Sequence, residues 1–177
     1  MSIGSSVAVE SASAASHTST VIKSPAVVPE NDKRLSVFLA GTIDMGGSEN
    51  WQARVERELA DENVVLLNPR RDDWNPAWKP TAAQPEFKAQ VEWELAALER
   101  ADIVLMYFAP ASQSPVTLLE LGLHARSGKV LLACPEGFWR KGNIDITADR
   151  YHVPRYETLD ALIAAVRVRV RQLRHEN

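Results

Sequence analysis

Short apolar runs alternate with longer amphipathic segments along the chain from Arg34 onward. The runs are rich in valine, leucine and isoleucine, which is typical of strands buried on both faces of a parallel sheet. In the segments between them, apolar residues recur at the spacing of one helix face. The predicted strands cover Leu35–Ala40, Val64–Leu67, Ile103–Phe108 and Val130–Ala133, with a fifth near Tyr151–Val153.

Helices are predicted between and after these strands. The clearest start is Ser114-Pro115, because serine caps helices and proline is favoured in the first turn. Strands that alternate with helices predict an α/β fold: a single-domain, doubly wound (flavodoxin-like) parallel sheet of about five strands with helices on both faces. The helices are expected at about Glu49–Asp61, Glu86–Arg100, Ser114–Arg126 and Thr158–Arg174, and Gly137–Asp145 is expected to be a loop.

Residues 1–33 differ from the rest of the chain. They are mostly Ser, Ala, Thr and Val without an aromatic residue or a periodic pattern, which predicts a disordered tail ahead of one domain over residues 34–177. The segment lacks the apolar core of a secretory signal and the arginines of a mitochondrial presequence. No apolar stretch reaches the roughly 20 residues that span a bilayer. We therefore expect a soluble, cytoplasmic protein without a membrane partner.

Composition and charge narrow the classes of partner. The net charge of −3 provides no basic surface for nucleic acid and favours a small-molecule substrate. The single cysteine, Cys134, lies in an apolar run, which predicts a buried free thiol and a reducing compartment. The four histidines lack ligand spacing, and the glycines fit neither a dinucleotide fingerprint nor a P-loop. We expect no metal and no cofactor.

Two glutamates fall where apolar residues are expected. Glu120 lies in a predicted helix that is apolar on nearly every side. Glu94 lies on the apolar stripe of the preceding helix, between Val91 and Leu98. A cation partner or a position at the helix edge would explain either residue alone. Two of them near one sheet edge predict a carboxyl pair about 5 to 9 Å apart, with one member ionised as nucleophile and one protonated as donor.

Several short motifs occur together in one order. They are Val37–Ile43, Glu94 ahead of Ala101-Asp102-Ile-Val, and Ser114 six residues before Glu120-Leu-Gly122, and they span about Leu35 to Asp145. In order and spacing they resemble the nucleoside 2-deoxyribosyltransferase family. In that family a glutamate of the matching helix attacks C1′ of the sugar, which implies that Glu120 is the nucleophile. In that family an acidic residue eight positions before the aspartate of the Ala-Asp pair acts in proton transfer to the nucleobase; Glu94 matches it, although aspartate is usual there.

Ser114 and Phe38 depart from the pattern of that family, and Asp44 departs from the pattern of the related hydrolases. Ser114 stands where an aspartate usually binds the sugar; a serine there is similar to the related deoxynucleoside 5′-monophosphate N-glycosidases, where it helps to hold phosphate. Those hydrolases carry a basic residue in the first loop, whereas this chain has Asp44, which would repel phosphate. Phe38 replaces a tyrosine and cannot donate a hydrogen bond. An unphosphorylated nucleoside is favoured, and the monophosphate stays the alternative.

Further substrate contacts are expected in loops that follow the carboxyl ends of strands, where parallel sheets bind ligands. In the long loop after the second predicted strand, Trp74 can stack on a nucleobase while Asp72 or Asp73 binds its edge; the alternative is a solvated turn with Trp74 packed on the domain. Gly41-Thr42 is expected to let substrate approach the backbone. The resemblance implies that Asn143 reaches a neighbouring subunit's sugar site. Arginines 70 and 71 and those at positions 167, 169, 171 and 174 are expected to be surface charges.

Three functions remain open at this point. The first is transfer of a (deoxy)ribosyl group between nucleobases through a covalent glycosyl-Glu120 intermediate, in a homo-oligomer. The second is an N-glycosidase, in which water accepts the sugar from a nucleoside or its 5′-monophosphate. The third is a nucleoside-binding module without catalysis, which would not need the two inward glutamates.

Overall fold

A computed structural model of the protein describes residues 18–43 and 50–176. The strands in this part of the chain are β1 (Thr20–Lys23), β2 (Ser36–Gly41), β3 (Val65–Asn68), β4 (Ile103–Tyr107), β5 (Val130–Ala133) and β6 (Arg155–Tyr156). They form one sheet in the order β1-β3-β2-β4-β5-β6, and all neighbours are parallel. The predicted fold class is confirmed, with six strands in place of about five.

Helices cover both faces of the sheet. They are α1 (Trp51–Glu58), α2 (Pro85–Arg100), α3 (Pro115–His124), α4 (Lys141–Tyr151) and α5 (Leu159–Glu176). Helices α2, α3 and α4 pack on one face around Phe38 and Met106, and α1 and α5 pack on the other around Leu39 and Leu105. Successive strand residues point to opposite faces, so each central strand contributes to both cores. No described helix is both long and apolar enough to cross a membrane.

The predicted disordered tail is wrong for residues 18–33. Residues Thr20 to Lys23 form β1 and pair with Val65 to Asn68 at the outer edge of β3. Ser19 secures the start of the strand, because its hydroxyl donates to the Leu59 carbonyl and accepts from the Val64 N–H. The strand depends on these distant partners rather than on its own pattern, which is why the sequence does not reveal it. Residues 1–17 lie outside the described part of the chain.

The predictions for residues 137–153 also need correction. A helix, α4, begins at Lys141 inside the predicted loop, and its Ile144 and Ala148 are buried one turn apart. The chain leaves this helix at His152, whose φ of 56° is left-handed, and the last strand is Arg155–Tyr156 rather than Tyr151–Val153. Only two apolar positions of α4 are buried, which is too weak a period to recognise.

The arginines of α5 are partly an ion-pair surface rather than only solvated charges. Arg167 pairs with Glu62 at 2.6 Å and with Asp61 at 3.0 Å. Arg171 and Arg174 lie 3.6 and 3.8 Å from the same Glu62 carboxylate, whose side chain is only 7% exposed. These arginines therefore neutralise a buried acid at the far end of α1.

Successive strands are added to the sheet in opposite directions on the two sides of β2. From β2 it passes through α1 to β3 on one side, and from β3 it passes through α2 to β4 on the other side of β2. Gly41, at the end of β2, lies opposite Tyr107, at the end of β4. Doubly wound sheets bind ligands in the crevice beyond such a switch point. The residues after Gly41 and Tyr107 therefore lie where a site is expected.

Candidate active site

Glu120 faces inward from α3 and is 7% exposed. Thr117 and Leu121 share its buried face, whereas Val116 and Leu123, on the same helix, point to solvent and are each 57% exposed. This is the reverse of an ordinary amphipathic helix. No described residue forms a hydrogen bond or an ion pair with the Glu120 carboxyl. A buried carboxyl without such a partner is costly in its ionised form.

Glu94 lies half-buried on the neighbouring helix α2 and has one defined partner. Its Oε1 accepts a hydrogen bond of 2.8 Å from Nε2 of Gln90, one turn earlier. The same Nε2 donates to the Pro69 carbonyl, also at 2.8 Å. The Oε1 of Gln90 accepts from the Ser24 hydroxyl at 2.5 Å. The buried amide of Gln90 thus joins the end of β1 and the loop after β3 to the Glu94 carboxyl.

The two carboxyls act on each other. Burial raises the pKa of Glu120 to about 8, and the negative charge of Glu94 adds to the rise. Burial also raises the pKa of Glu94, but the Gln90 N–H opposes the rise because it stabilises the ionised form. The sequence predicts that both acids share one site; Glu94 is close enough to raise the pKa of Glu120, and the separation of about 5 to 9 Å stays a prediction. Which member of the pair is the nucleophile and which is the proton donor stays a prediction.

Three buried hydroxyls bridge the crevice between β2 and β4; we call Thr42, Ser112 and Ser114 the hydroxyl cluster. Oγ1 of Thr42 lies 2.6 Å from Oγ of Ser114 and 3.0 Å from Oγ of Ser112, which are 2.9 Å apart. The Ala109 N–H also donates to Thr42, and Ser112 donates to the Ala109 carbonyl. This network fixes the loop after β4, and with it the start of α3.

Ser114 does not cap α3 in the expected way. It precedes Pro115 with left-handed angles of 41° and 50°, and its side chain forms no capping hydrogen bond. The hydroxyl turns to Thr42, 72 residues earlier, and the residue is 9% exposed. The hydroxyl therefore anchors the helix. The other residue expected to decide phosphate binding, Asp44, lies outside the described residues.

Gly41 is required by close packing at the end of β2. Its φ is +152°, and a Cβ there would lie 2.4 Å from the Tyr107 carbonyl oxygen and 2.7 Å from Cζ2 of Trp51. Any side chain would displace one of them. Trp51 in turn donates its indole N–H to the Thr42 carbonyl at 2.8 Å. The space that glycine leaves open is occupied by protein atoms, so the expected approach of a substrate is not what requires it.

The charged residues of the long loop are largely paired. Asp72, exposed, binds Lys23 of β1 at 2.8 Å, and Asp73, also exposed, binds Arg71 at 2.8 Å. The Arg71 side chain is only 8% exposed and its guanidinium lies 4.9 Å from the centre of the Trp78 ring. The expectation of a surface charge is therefore wrong for Arg71, because the aromatic ring and Asp73 bury it.

Two donors in this loop have no partner among the described residues. They are Nη1 of Arg70 and Nε1 of Trp74, both buried. The Trp74 ring packs edge-on against Trp78, with 5.2 Å between the ring centres. Buried donors in folded proteins are nearly always bonded to protein, water or ligand. Trp74 is thus packed against the protein, as the alternative interpretation of this loop expects, and its indole N–H is a donor that a ligand could satisfy.

Asn143 is exposed on α4. It lines a cleft of about 300 Å³ between α3 and α4. The other lining residues are Leu118, Leu121, Gly122, Arg140, Ile144 and Thr147. Glu94 and Glu120 do not line this cleft, and the contact of Asn143 with a neighbouring subunit's sugar site stays a prediction. The described residues contain no cluster of His, Cys, Asp or Glu suited to hold a metal ion.

Comparison with known proteins decides the family. A family model described as nucleoside 2-deoxyribosyltransferase like matches residues 34–138. The chain belongs to this family. The match includes Glu94, Glu120 and the hydroxyl cluster, and it leaves out β1 and α5. No curated protein matches the chain.

Solved structures support the fold of this nucleoside 2-deoxyribosyltransferase-like domain. One of them is the crystal structure of a conserved protein from Enterococcus faecalis V583, with a TM-score of 0.57 and 9% sequence identity. The similarity covers 77% of this chain and 99% of the other. At this identity the similarity concerns the fold alone.

Sequence reasoning missed Ser24, Gln90 and Ser112. Gln90 could have been found, because glutamine and an acidic residue one helical turn apart often form a hydrogen bond. Ser112 lies two residues before Ser114 and has no signal beyond that proximity. Ser24 lies in the segment interpreted as a tail, and nothing in its neighbours indicates the contact with Gln90.

Proposed function

We propose that the protein cleaves the N-glycosidic bond of a nucleoside and transfers the (deoxy)ribosyl group to a second nucleobase through a covalent bond to Glu120. The observation that carries the proposal is the buried Glu120 carboxyl, which has no cation or hydrogen-bond partner among the described residues and has Glu94 beside it. Acids held at such an energetic cost are concentrated at functional sites. Family membership supplies the class of chemistry.

The carboxyl pair begins the reaction with one shared proton. Burial raises the pKa of Glu94 and raises that of Glu120 to about 8, so the pair retains a proton at neutral pH. Moving the proton to Glu94 makes Glu120 a carboxylate nucleophile and Glu94 an acid in the same step. Glu120 then forms a bond to C1′ while the C1′–N bond breaks, and the departing base takes its electron pair and the proton from Glu94. A second base attacks C1′, releases Glu120 and returns its proton to Glu94.

The shared proton predicts a bell-shaped dependence of kcat/KM on pH. On the alkaline side the rate should fall near pH 8, because the pair loses its proton and the base has no donor. On the acid side it should fall as Glu94 is protonated, above the ordinary glutamate pKa of 4.5, because no nucleophile then remains. Initial rates across this range would measure both limbs. A rate that keeps rising well above pH 8 would mean that Glu120 works without a proton donor.

Hydrolysis of a nucleoside 5′-monophosphate is a second candidate, which one observation favours. The buried Nη1 of Arg70 lacks a described partner, and Arg70 directly follows Pro69, whose carbonyl binds Gln90. A guanidinium nitrogen without a described partner could donate to a phosphate oxygen at this position. The test is KM for a deoxynucleoside and for its 5′-monophosphate, in the unmutated protein and in Arg70→Gln. Preference for the monophosphate that disappears in Arg70→Gln would establish this substrate class.

A panel of nucleosides separates the candidate functions. Each is incubated with the protein, with and without free adenine, and the products are resolved by chromatography. The proposal expects a new adenine nucleoside when adenine is present. Release of base to the same extent with and without adenine identifies a hydrolase. Absence of any product identifies a binding module.

A further inference from the structure

The segment before the family match is built into the fold beside the carboxyl pair. The match begins at residue 34, whereas β1 pairs with β3 from residue 20. Beyond β1 the chain crosses α2, where Trp93 donates its indole N–H to the Ala26 carbonyl at 2.9 Å and Arg100 donates to the Val28 carbonyl at 3.0 Å. Trp93 and Glu94 are consecutive residues of α2. The segment is thus fastened to the helix that carries one of the two acids.

Ser24 is the point at which this segment reaches the pair. It is 4% exposed, and its hydroxyl donates to Oε1 of Gln90 at 2.5 Å. Its backbone N–H donates to the Asn68 carbonyl at 3.1 Å, so the residue is held from both sides. Gln90 is 5% exposed, which leaves its amide no access to bulk water that could replace these partners.

The Pro69 carbonyl and the Ser24 hydroxyl together determine which way the Gln90 amide points. An amide presents an acceptor on one side and donors on the other. With its oxygen facing the Ser24 donor, Gln90 directs its NH₂ group at the Pro69 carbonyl and at Glu94. The flipped amide would place its oxygen against two acceptors, the Pro69 carbonyl and the Glu94 carboxylate, and would leave Glu94 without its donor.

We propose that Ser24 and Gln90 are positioning residues for Glu94, so that a segment outside the family match orients the acid that serves Glu120. The catalytic part of this inference rests on the proposed function. The amide holds the Glu94 carboxylate by a charge-assisted hydrogen bond and fixes its Oε1, which leaves Oε2 for proton exchange. Among the described residues, Glu120 is the titratable group whose pKa responds to the charge of Glu94.

The first test does not depend on turnover. Carboxyl carbons of ¹³C-labelled glutamate are titrated by NMR in the unmutated protein, Ser24→Ala and Gln90→Leu, with Glu94 assigned by its absence in Glu94→Gln. Both variants should raise the pKa of Glu94, because a hydrogen bond to its ionised form is lost or misdirected. The matched control is Ser36→Ala, which removes another buried hydroxyl, bonded to Asp102 at 2.8 Å, at the amino end of the central strand β2. Unchanged titration of Glu94 in Ser24→Ala would overturn the proposal.

The second test measures the catalytic consequence. Ser24→Ala and Gln90→Leu should lower kcat by about tenfold with little change in KM, and should move the acid limb of the pH profile upward. Ser24→Thr, which keeps the hydroxyl, should restore both, and urea unfolding reports whether each variant is folded. A shifted Glu94 titration in a protein without any turnover keeps the positioning role and rejects the proposed function. An unshifted titration in an active protein rejects the positioning role alone.

Discussion

Replacing Glu120 by glutamine or alanine is expected to lower kcat/KM by about 10³-fold or more. Both changes remove the oxygen nucleophile that would bond to C1′, and glutamine does so at nearly constant shape. The loss should appear mainly in kcat, since the side chain is needed for the bond-breaking step rather than for holding the substrate. The measurement is nucleobase release from the best substrate of the panel at neutral pH.

A matched control distinguishes a lost nucleophile from a general effect of charge. Glu92→Gln removes an exposed carboxylate from α2, where it pairs with Lys88 at 3.5 Å, and should leave the rate unchanged. Circular dichroism would establish that Glu120→Ala is folded. Near-normal activity of folded Glu120→Ala would reject the mechanism, and the second acid would then need another role.

Replacing Glu120 by glutamine is also expected to stabilise the folded protein. Glu120 has a pKa of about 8 in the folded protein against 4.5 for an ordinary glutamate, so the folded state binds the extra proton between these values. The free energy of unfolding is therefore highest below about pH 4.5 and decreases as the pH rises through 8. Glutamine, which cannot ionise, avoids this loss. Glu120→Gln should raise the free energy of unfolding by about 3 kcal/mol at pH 7.

The pH dependence of this gain identifies its cause. Urea unfolding of both proteins at about pH 4, 7 and 8 should give a gain that is small at the lowest pH and grows toward pH 8. A gain of equal size at every pH would point to better packing instead. Glu120→Gln that is less stable at pH 7 would contradict the raised pKa. Gain in stability with loss of turnover is the combination expected of a residue retained for function.

The central sheet could be predicted closely because its strands carry their own signal. Val130–Ala133 was expected as a strand and is one, since a run of apolar residues between two helices suits a buried parallel strand. β1 has no comparable run; it exists because the edge of β3 offers unpaired backbone groups to Thr20–Lys23. α4 hides its period because only Ile144 and Ala148 face the core. The elements that the sequence does not predict are those that form through contacts with distant residues rather than through a pattern of their own.

The candidate site follows the same division. Glu94 and Glu120 could be selected because a charge on an apolar stripe is anomalous in the sequence itself. The pKa shifts of these two acids could not be predicted from the sequence. They depend on a hydrogen bond from Gln90 and on the lack of a described cation near Glu120. The inward turn of the Ser114 hydroxyl depends on Thr42, which comes from another strand. The pattern of apolar positions locates the two acids in the sequence, and their three-dimensional contacts determine their chemistry.

The most direct test of covalent transfer is isotope exchange between a nucleobase and its own nucleoside. The protein is incubated with unlabelled deoxyadenosine and ¹⁴C-adenine, and label in deoxyadenosine is counted after chromatography. A glycosyl-Glu120 intermediate predicts that label enters the nucleoside, because the enzyme-bound sugar can be recaptured by any adenine; Glu120→Gln should give none. Adenine release without incorporation of label would contradict the transfer, and incorporation by Glu120→Gln would contradict the assigned nucleophile.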